Sequence, residues 1–150
     1  MAPMESKVFV RDAQPSDSEV VSHHEFLSIK ESASYRGSIQ QLEMSSTRTW
    51  VAGWGTTVFG SLTAGEISPG AWHINFVFIE QEAREMGIGD ALMQYVLTQI
   101  AHVHGVWISA QAQPGDRSLK NLFERHGLVA QTITVGKSLI DPSIEEHASR

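Results

Sequence analysis

Residues 71–104 join a strand pattern, a turn holding two glycines and an amphipathic helix pattern, an order that commits the chain to packing a helix back onto a sheet. From Ala71 to Glu80 the chain alternates and then becomes nearly all apolar. This spacing places Trp72, Ile74, Phe76 and Phe78 on one strand face and His73, Asn75 and Val77 on the other, so that the first face is core and the second polar. Ile88, Leu92, Tyr95, Val96 and Ile100 then recur at helical spacing, which predicts a helix from Gly87 to His104 closed by Gly105. Arg84-Glu85-Met86-Gly87-Ile88-Gly89 therefore lies at a strand-to-helix turn. The first N–H groups of a helix lack intrahelical partners and carry the positive end of its dipole, so an anionic phosphate satisfies both. Gly87 and Gly89 have no Cβ to keep a phosphate away, and Arg84 adds a cationic fork. An isolated R-x-x-G-x-G string reads first as a tightened turn, and its context shifts the reading to a phosphate site; neither G-x-x-x-x-G-K-[ST] nor G-x-G-x-x-G occurs, so the expected ligand is another phosphate ester.

Around this unit the predicted elements are a strand at Lys7 to Arg11, a helix from Glu19 to Lys30, and a weakly patterned variable stretch from Glu31 to Ser46. Two hairpin strands follow at Thr47 to Gly53 and Thr56 to Ala64. Beyond the central helix come a strand at Val106 to Gln111, a helix capped by Asp116 and stopped by Gly127, and a last strand from Leu128 to Leu139. Residues 140–150 read as a loose tail. The order is strand, helix, three strands, helix, strand, helix, strand: an α/β (α+β) arrangement with a mixed sheet covered by helices.

The 150 residues are 41% apolar and 19% charged, which fits a single domain over 1–150. No apolar run approaches bilayer-spanning length, and the first residues lack the basic-then-apolar order of a signal peptide, so the expected location is cytoplasmic, with no membrane partner. The formal charge of −6, with no clustered Lys and Arg, argues against nucleic acid and leaves a cationic or amine substrate easier to accommodate. The absence of cysteine excludes thiolate metal sites and any acyl-cysteine intermediate.

The element order, F-V-F-I-E-Q-E-A-R-E-M-G-I-G-D-A-L at 76–92 and P-G-D-R-S-L-K-N-L-F-E-R-H-G-L at 114–128 together resemble the GNAT superfamily of acetyl-CoA-dependent N-acetyltransferases. The specific part of the resemblance runs from Ala71 to Leu139; the N-terminal half matches by layout. It implies a mainly antiparallel sheet of six to seven strands with helices on both faces. The strand before the glycine motif carries a bulge and splays from the next strand, so that pantetheine borrows main-chain hydrogen bonds from Val77, Phe78 and Ile79. The diphosphate sits on the amides of Arg84, Glu85, Met86, Gly87, Ile88 and Gly89, with the Met86 and Ile88 side chains packing or covering. Asp90 is expected to turn away from the diphosphate.

Acetyl transfer to an amine needs a base, a polarised carbonyl and a proton for the departing thiolate. Without cysteine, direct attack in a ternary complex is the simplest scheme. His73 stands at the spacing before Arg84 where histone-type relatives carry a glutamate, and is either the base or a residue on a solvent-facing strand. Asn75, on the same face, either orients the acceptor or is structural. Amides near Phe78 and Ile79 polarise the carbonyl. Phe123 stands where many relatives have a tyrosine proton donor, Asp116 where they have an asparagine, Leu119 where they have a small residue, and Gln111 where ribosomal-protein alanine acetyltransferases carry a glutamate. Arg117 and Lys120 are either contacts for the 3′-phosphate of coenzyme A or exposed helix charges. Asp116, Lys120 and Phe123 join the cofactor-binding set. His23-His24-Glu25 reads as a solvated helix surface, and no metal site is predicted. Trp50 and Trp54 are either core or an exposed edge for a homodimer. The expected activity is acetyl transfer to a primary amine of a small molecule or protein; the alternative is a non-catalytic acyl-CoA-binding module.

Overall fold

The computed structural model describes residues 7–140. Five strands form one sheet in sequence order: β1 (Val8–Asp12), β2 (Ser45–Trp54), β3 (Thr57–Ser68), β4 (Ala71–Ile79) and β5 (Trp107–Ser109). The first four are antiparallel, and β5 runs parallel to β4. Helix α1 (Ser18–Ser32) follows β1, α2 (Ile88–His102) joins β4 to β5, and α3 (Arg117–Arg125) follows β5. No helix among the described residues is long and apolar enough to cross a membrane.

The two sheet faces differ in chemistry, and the helices that cover them differ accordingly. Helix α2 buries Ile88, Leu92, Met93, Val96 and Ile100 against Trp50, Ala52, Leu62, Ala64, Trp72, Ile74 and Ile79, and α3 adds Leu122 and Phe123 to the same cluster. Each fully buried Leu or Ile there stabilises the fold by about 1.5–3 kcal/mol. The α1 face includes polar side chains, His24 and Ser61 among them, beside the Phe78 ring. His24 of α1 is fully buried, with Nδ1 2.7 Å from Ser61 Oγ on β3 and Nε2 3.0 Å from Glu80 Oε2 at the end of β4. A buried imidazole is tolerated only when its nitrogens are partnered, so this network fixes where α1 sits. The sequence reading of His23-His24-Glu25 as a solvated surface fails at His24 for that reason. Trp50 is core, whereas Trp54, at the end of β2, is 40% exposed.

The alternation read along β4 is broken by a bulge. Thr63 pairs with Phe76 and Ala64 with Ile74, so Asn75 is an extra residue opposite a single step of β3. Beyond it the faces exchange: Val77 and Ile79 join Trp72 and Ile74 in the α2 cluster, while the Phe78 ring lies 5.5 Å from His24 on the α1 face. The expectation that Phe76 and Phe78 share a face with Trp72 is therefore corrected by one inserted residue.

The sheet has five strands where six to seven are expected. Residues 128–139 pair with no described strand, and Val129, Ile133, Val135 and Leu139 are exposed. Their alternation is a strand pattern, but a strand forms only where a sheet edge receives it, and β5 pairs only with β4. Of the expected tail, residues 141–150 lie outside the described residues.

Asp17 ties the start of α1 to β1. Its buried carboxylate accepts from Arg11 Nη1 and Nη2 at 2.7 and 3.1 Å and from the Gln14 N–H at 2.7 Å. The Arg11 hydrogen bonds, opposed by burial and aided by Gln14, hold its pKa below the ordinary 3.8. Its stabilisation is thus complete above the unfolded carboxylate pKa and is lost as pH falls through the lower folded value. Asp17→Ala is expected to cost about 1–2 kcal/mol at neutral pH, in the range of a lost helix cap with a charged partner. Urea unfolding should show variant and parent converging in acid; a gap undiminished below the folded pKa would sink the ion-pair account.

Candidate active site

Strands β4 and β5 pair only from Ala71↔Trp107 to His73↔Ser109. Beyond that step they diverge, and Ile74–Ile79 presents one unpaired edge. A cleft of about 380 Å³ opens there, bounded by β4, the C-terminal half of α1, the loop residues Ser38, Ile39 and Gln41, the head of α2 and the inner face of α3. Asn75, Val77, Phe78 and Ile79 all line it, so the bulge and the splay expected of this strand are both present.

At the mouth of the cleft the chain leaves β4 through a 3-10 turn, Gln81–Ala83, and enters α2. Gly87 caps the helix with φ 77°, and no side chain caps that end. A left-handed torsion at the N-cap is strained for any residue with a Cβ, so glycine is required by the backbone there. Among the described residues, the N–H groups of Glu85, Gly87, Ile88, Gly89 and Asp90 donate to no protein acceptor. Those of Arg84 and Met86 are taken by the Gln81 and Ala83 carbonyls. A Cβ at Gly89 would meet Leu122 Cδ1 at 3.5 Å and Ile79 Cγ1 at 3.6 Å, which is ordinary contact. Packing alone therefore does not demand glycine at 89.

One side chain of this turn, Arg84, differs from the sequence expectation. The Arg84 guanidinium is not a free fork: it makes a two-point pair with Glu31 of α1 at 2.7 and 3.1 Å, donates from Nε to the Ile79 carbonyl at 2.8 Å and lies over the Phe78 ring. The hydrogen bond to Glu31 raises its already high pKa further. Glu85 is exposed, Met86 is 37% exposed, and Ile88 is core. Asp90 turns to α3, where Arg125 donates at 3.0 and 3.3 Å and His126 lies at 2.8 Å. Burial opposes its ionisation, but those hydrogen bonds outweigh it and hold its pKa below the ordinary value. Its charge is thus met inside the protein.

On the opposite wall Asp116 caps α3, accepting from the Leu119 N–H at 3.2 Å. Burial pushes its pKa up, with the Glu31 charge adding and the Leu119 hydrogen bond and Arg84 opposing. Phe123 is buried on the wall, where its ring offers apolar surface and no proton. Lys120 faces solvent, 3.6 Å from Glu124, and is not part of the wall.

His73 does not stand on a solvent-facing surface. It is 5% exposed, with Nδ1 2.7 Å from Ser109 Oγ and Nε2 3.4 Å from the Gln111 side-chain nitrogen. Burial lowers its pKa below the ordinary 6.5 and keeps the ring neutral at physiological pH. Gln111 lines the cleft and His73 lies one side chain behind it. The sequence missed this because a period-two strand reading cannot say which side of β4 is closed by β5.

The sequence also missed Glu31, the partner of Arg84, and Gln113, which is 7% exposed and bonded to the end of α1. A glutamate in a last helical turn and a glutamine beside Pro-Gly both resemble surface residues, and no local pattern separates them from it.

A profile of the acetyltransferase (GNAT) domain matches residues 11–138. No curated protein sequence matches the chain. Among solved structures, the aminoglycoside acetyltransferase meta-AAC0020 from an uncultured soil metagenomic sample, in complex with sisomicin, is similar with TM-score 0.66 at 14% identity, over 89% of this chain and 96% of that one. A GCN5-related N-acetyltransferase from Kribbella flavida is similar with TM-score 0.65 at 21% identity, over 81% and 82%. AAC(6')-Iy in complex with the bisubstrate analog CoA-S-monomethyl-acetylneamine is similar with TM-score 0.62 at 11% identity, over 89% and 99%. At these identities the structural likeness is one of fold. With the domain profile spanning most of the chain and the splayed β4–β5 cleft ending in a glycine turn, this protein belongs to the GNAT acetyltransferase domain family.

Proposed function

We propose that the chain transfers an acetyl group from acetyl-CoA to a primary amine of a small molecule or a protein, by direct attack in a ternary complex. The observation that carries this reading is the row of unpartnered amides at Glu85 and Gly87 to Asp90, opening onto a cleft whose other wall is the unpaired edge of β4. Those amides and the α2 dipole suit a diphosphate. The edge at Val77 and Ile79 offers strand-like main-chain hydrogen bonds to an amide-containing arm, with the Phe78 side chain between them, and Asp116, Leu119 and Phe123 line the facing wall. Within the Arg84–Gly89 turn, Arg84 serves by fixing the loop to α1, and Met86 covers the turn. Lys120 keeps a role at the solvent end of the site, because its surface pair with Glu124 is weak and its side chain is free to turn toward a 3′-phosphate.

Acetyl-CoA supplies the acyl group as a thioester. The Ile79 amide, on the edge turned away from β3, polarises its carbonyl, whereas the Phe78 amide points to β3; Asn75, set at the bulge on the cleft wall, orients the acceptor amine. His73, held neutral by burial, takes the proton from behind Gln111. Phe123 supplies no proton, and a coenzyme A thiol is acidic enough to leave as thiolate.

Thiol release measured over an amine panel, aminoglycosides and peptide N-termini included, is expected to show turnover; coenzyme binding without turnover on any amine would favour the non-catalytic acyl-CoA-binding module that Phe123 suggests. His73→Ala should lower kcat about 100-fold at unchanged coenzyme affinity. In the parent enzyme the acidic limb of the kcat–pH profile should lie below 6.5, since burial lowers the His73 pKa. An unaltered kcat in the variant assigns the proton to another acceptor. Gly89→Glu should abolish coenzyme A binding in calorimetry, because it sets a carboxylate among the free amides; intact affinity would remove the diphosphate from this turn.

A further inference from the structure

We infer that Gln111 and Gln113 are positioning residues that set acceptor specificity by holding residues 33–41 as one wall of the cleft. The inference rests on the acetyl-transfer reading above. Residues 33–41 belong to no helix or strand, yet Ser38, Ile39 and Gln41 line the cleft. What holds them is side-chain chemistry from the chain that follows β5.

Gln111 accepts from the Gln40 N–H at 2.9 Å and donates to the Gln40 carbonyl at 2.8 Å. This two-point contact is what a neighbouring strand would make with its backbone, supplied here by one amide side chain. Gln113, 7% exposed, donates to the carbonyls of Ser32, Gly37 and Arg36 at 3.1, 2.9 and 3.4 Å and accepts from Ser32 Oγ at 2.6 Å. One glutamine thus fastens the end of α1 and the turn after it, and the other fastens the extended chain that reaches the cleft.

The residue type matters at both positions. A carboxylate at 111 would accept from the Gln40 N–H but would face the Gln40 carbonyl without a donor. A carboxylate at 113 would oppose three carbonyl oxygens in a nearly buried site, which is costly for an unpaired charge. The departure from a strand glutamate at 111 therefore has a structural reason: the amide is engaged with the loop. Neither side chain bonds to the α2 head or to Val77, Phe78 or Ile79; Gln113 fastens Ser32, next to the Glu31 that holds Arg84, so of the two it is the Gln111 tether that has no link to the glycine turn.

The test compares Gln113→Leu and Gln111→Ala with the parent in steady-state kinetics, using the best amine of the panel. Both variants should raise the acceptor KM about tenfold and flatten selectivity across amines, and in Gln111→Ala, which leaves the end of α1 fastened, the KM for acetyl-CoA and the calorimetric Kd for coenzyme A should stay within about twofold, the loss matching one or two hydrogen bonds. A purely structural role would lower the melting temperature without splitting the two KM values, and that result, or equal changes in both, would overturn the inference. Amide hydrogen exchange in the free protein gives a readout independent of turnover. Protection of the Gln40 N–H should be present in the parent and lost in Gln111→Ala; unchanged exchange overturns the tether itself. Absence of turnover by the parent on every amine, with Gln40 protection lost in the variant, overturns the acetyl-transfer reading and keeps the tether.

Discussion

The arrangement depends on two neighbouring strands that stop pairing. Parallel β4 and β5 are joined only through His73↔Ser109, and beyond that step each has backbone groups that its neighbour does not satisfy. Inside a folded domain such groups need partners, and each side has found a different solution. The β4 edge at Ile74–Ile79 opens onto the cleft. The chain after β5 turns outward, and the side chains of Gln111 and Gln113 tie down the segment between α1 and β2. The same divergence opens the cleft and frees the chain that anchors residues 33–41 on its wall.

The second organising element is the unequal chemistry of the sheet faces. Helix α2 is held by apolar burial, which is strong and non-directional, and it carries the amides whose position the site needs. Helix α1 is held by directional contacts: His24 with Ser61 and Glu80, Asp17 with Arg11, and Glu31 with Arg84. The Glu31–Arg84 pair spans the cleft from α1 to the glycine turn and draws on groups that local pattern reading treats as surface or as phosphate ligands. Directional contacts fix α1 in one place and orientation, whereas an apolar stripe would leave it freer to slide.

Much of the site was legible because its backbone requirements are local. Gly87 must take a left-handed torsion at the head of a helix, and the strand, turn and helix around it are marked by periodicity over a short span. The β4 faces were legible only as far as Asn75. A bulge inserts one residue and exchanges every side chain beyond it, yet no residue type in I-N-F-V announces it. His73 illustrates the same limit: its residue type suggests a base, but the short pairing with β5 decides that it is buried against Ser109 and Gln111.

The sequence by itself determined a glycine-bearing helix head after an apolar strand and an acidic chain without cysteine, which excludes an acyl-cysteine intermediate. Those features follow from glycine, periodicity and composition, which act over neighbouring residues. Tertiary structure alone decided that the Arg84 fork is engaged with Glu31, that His24 and His73 are buried, and that residues 128–139 find no described strand to pair with. It also decided that two glutamines hold residues distant in sequence. The physical reason is that the partners lie far along the chain, and a polar residue's role is set by what stands within hydrogen-bond reach once the chain is folded.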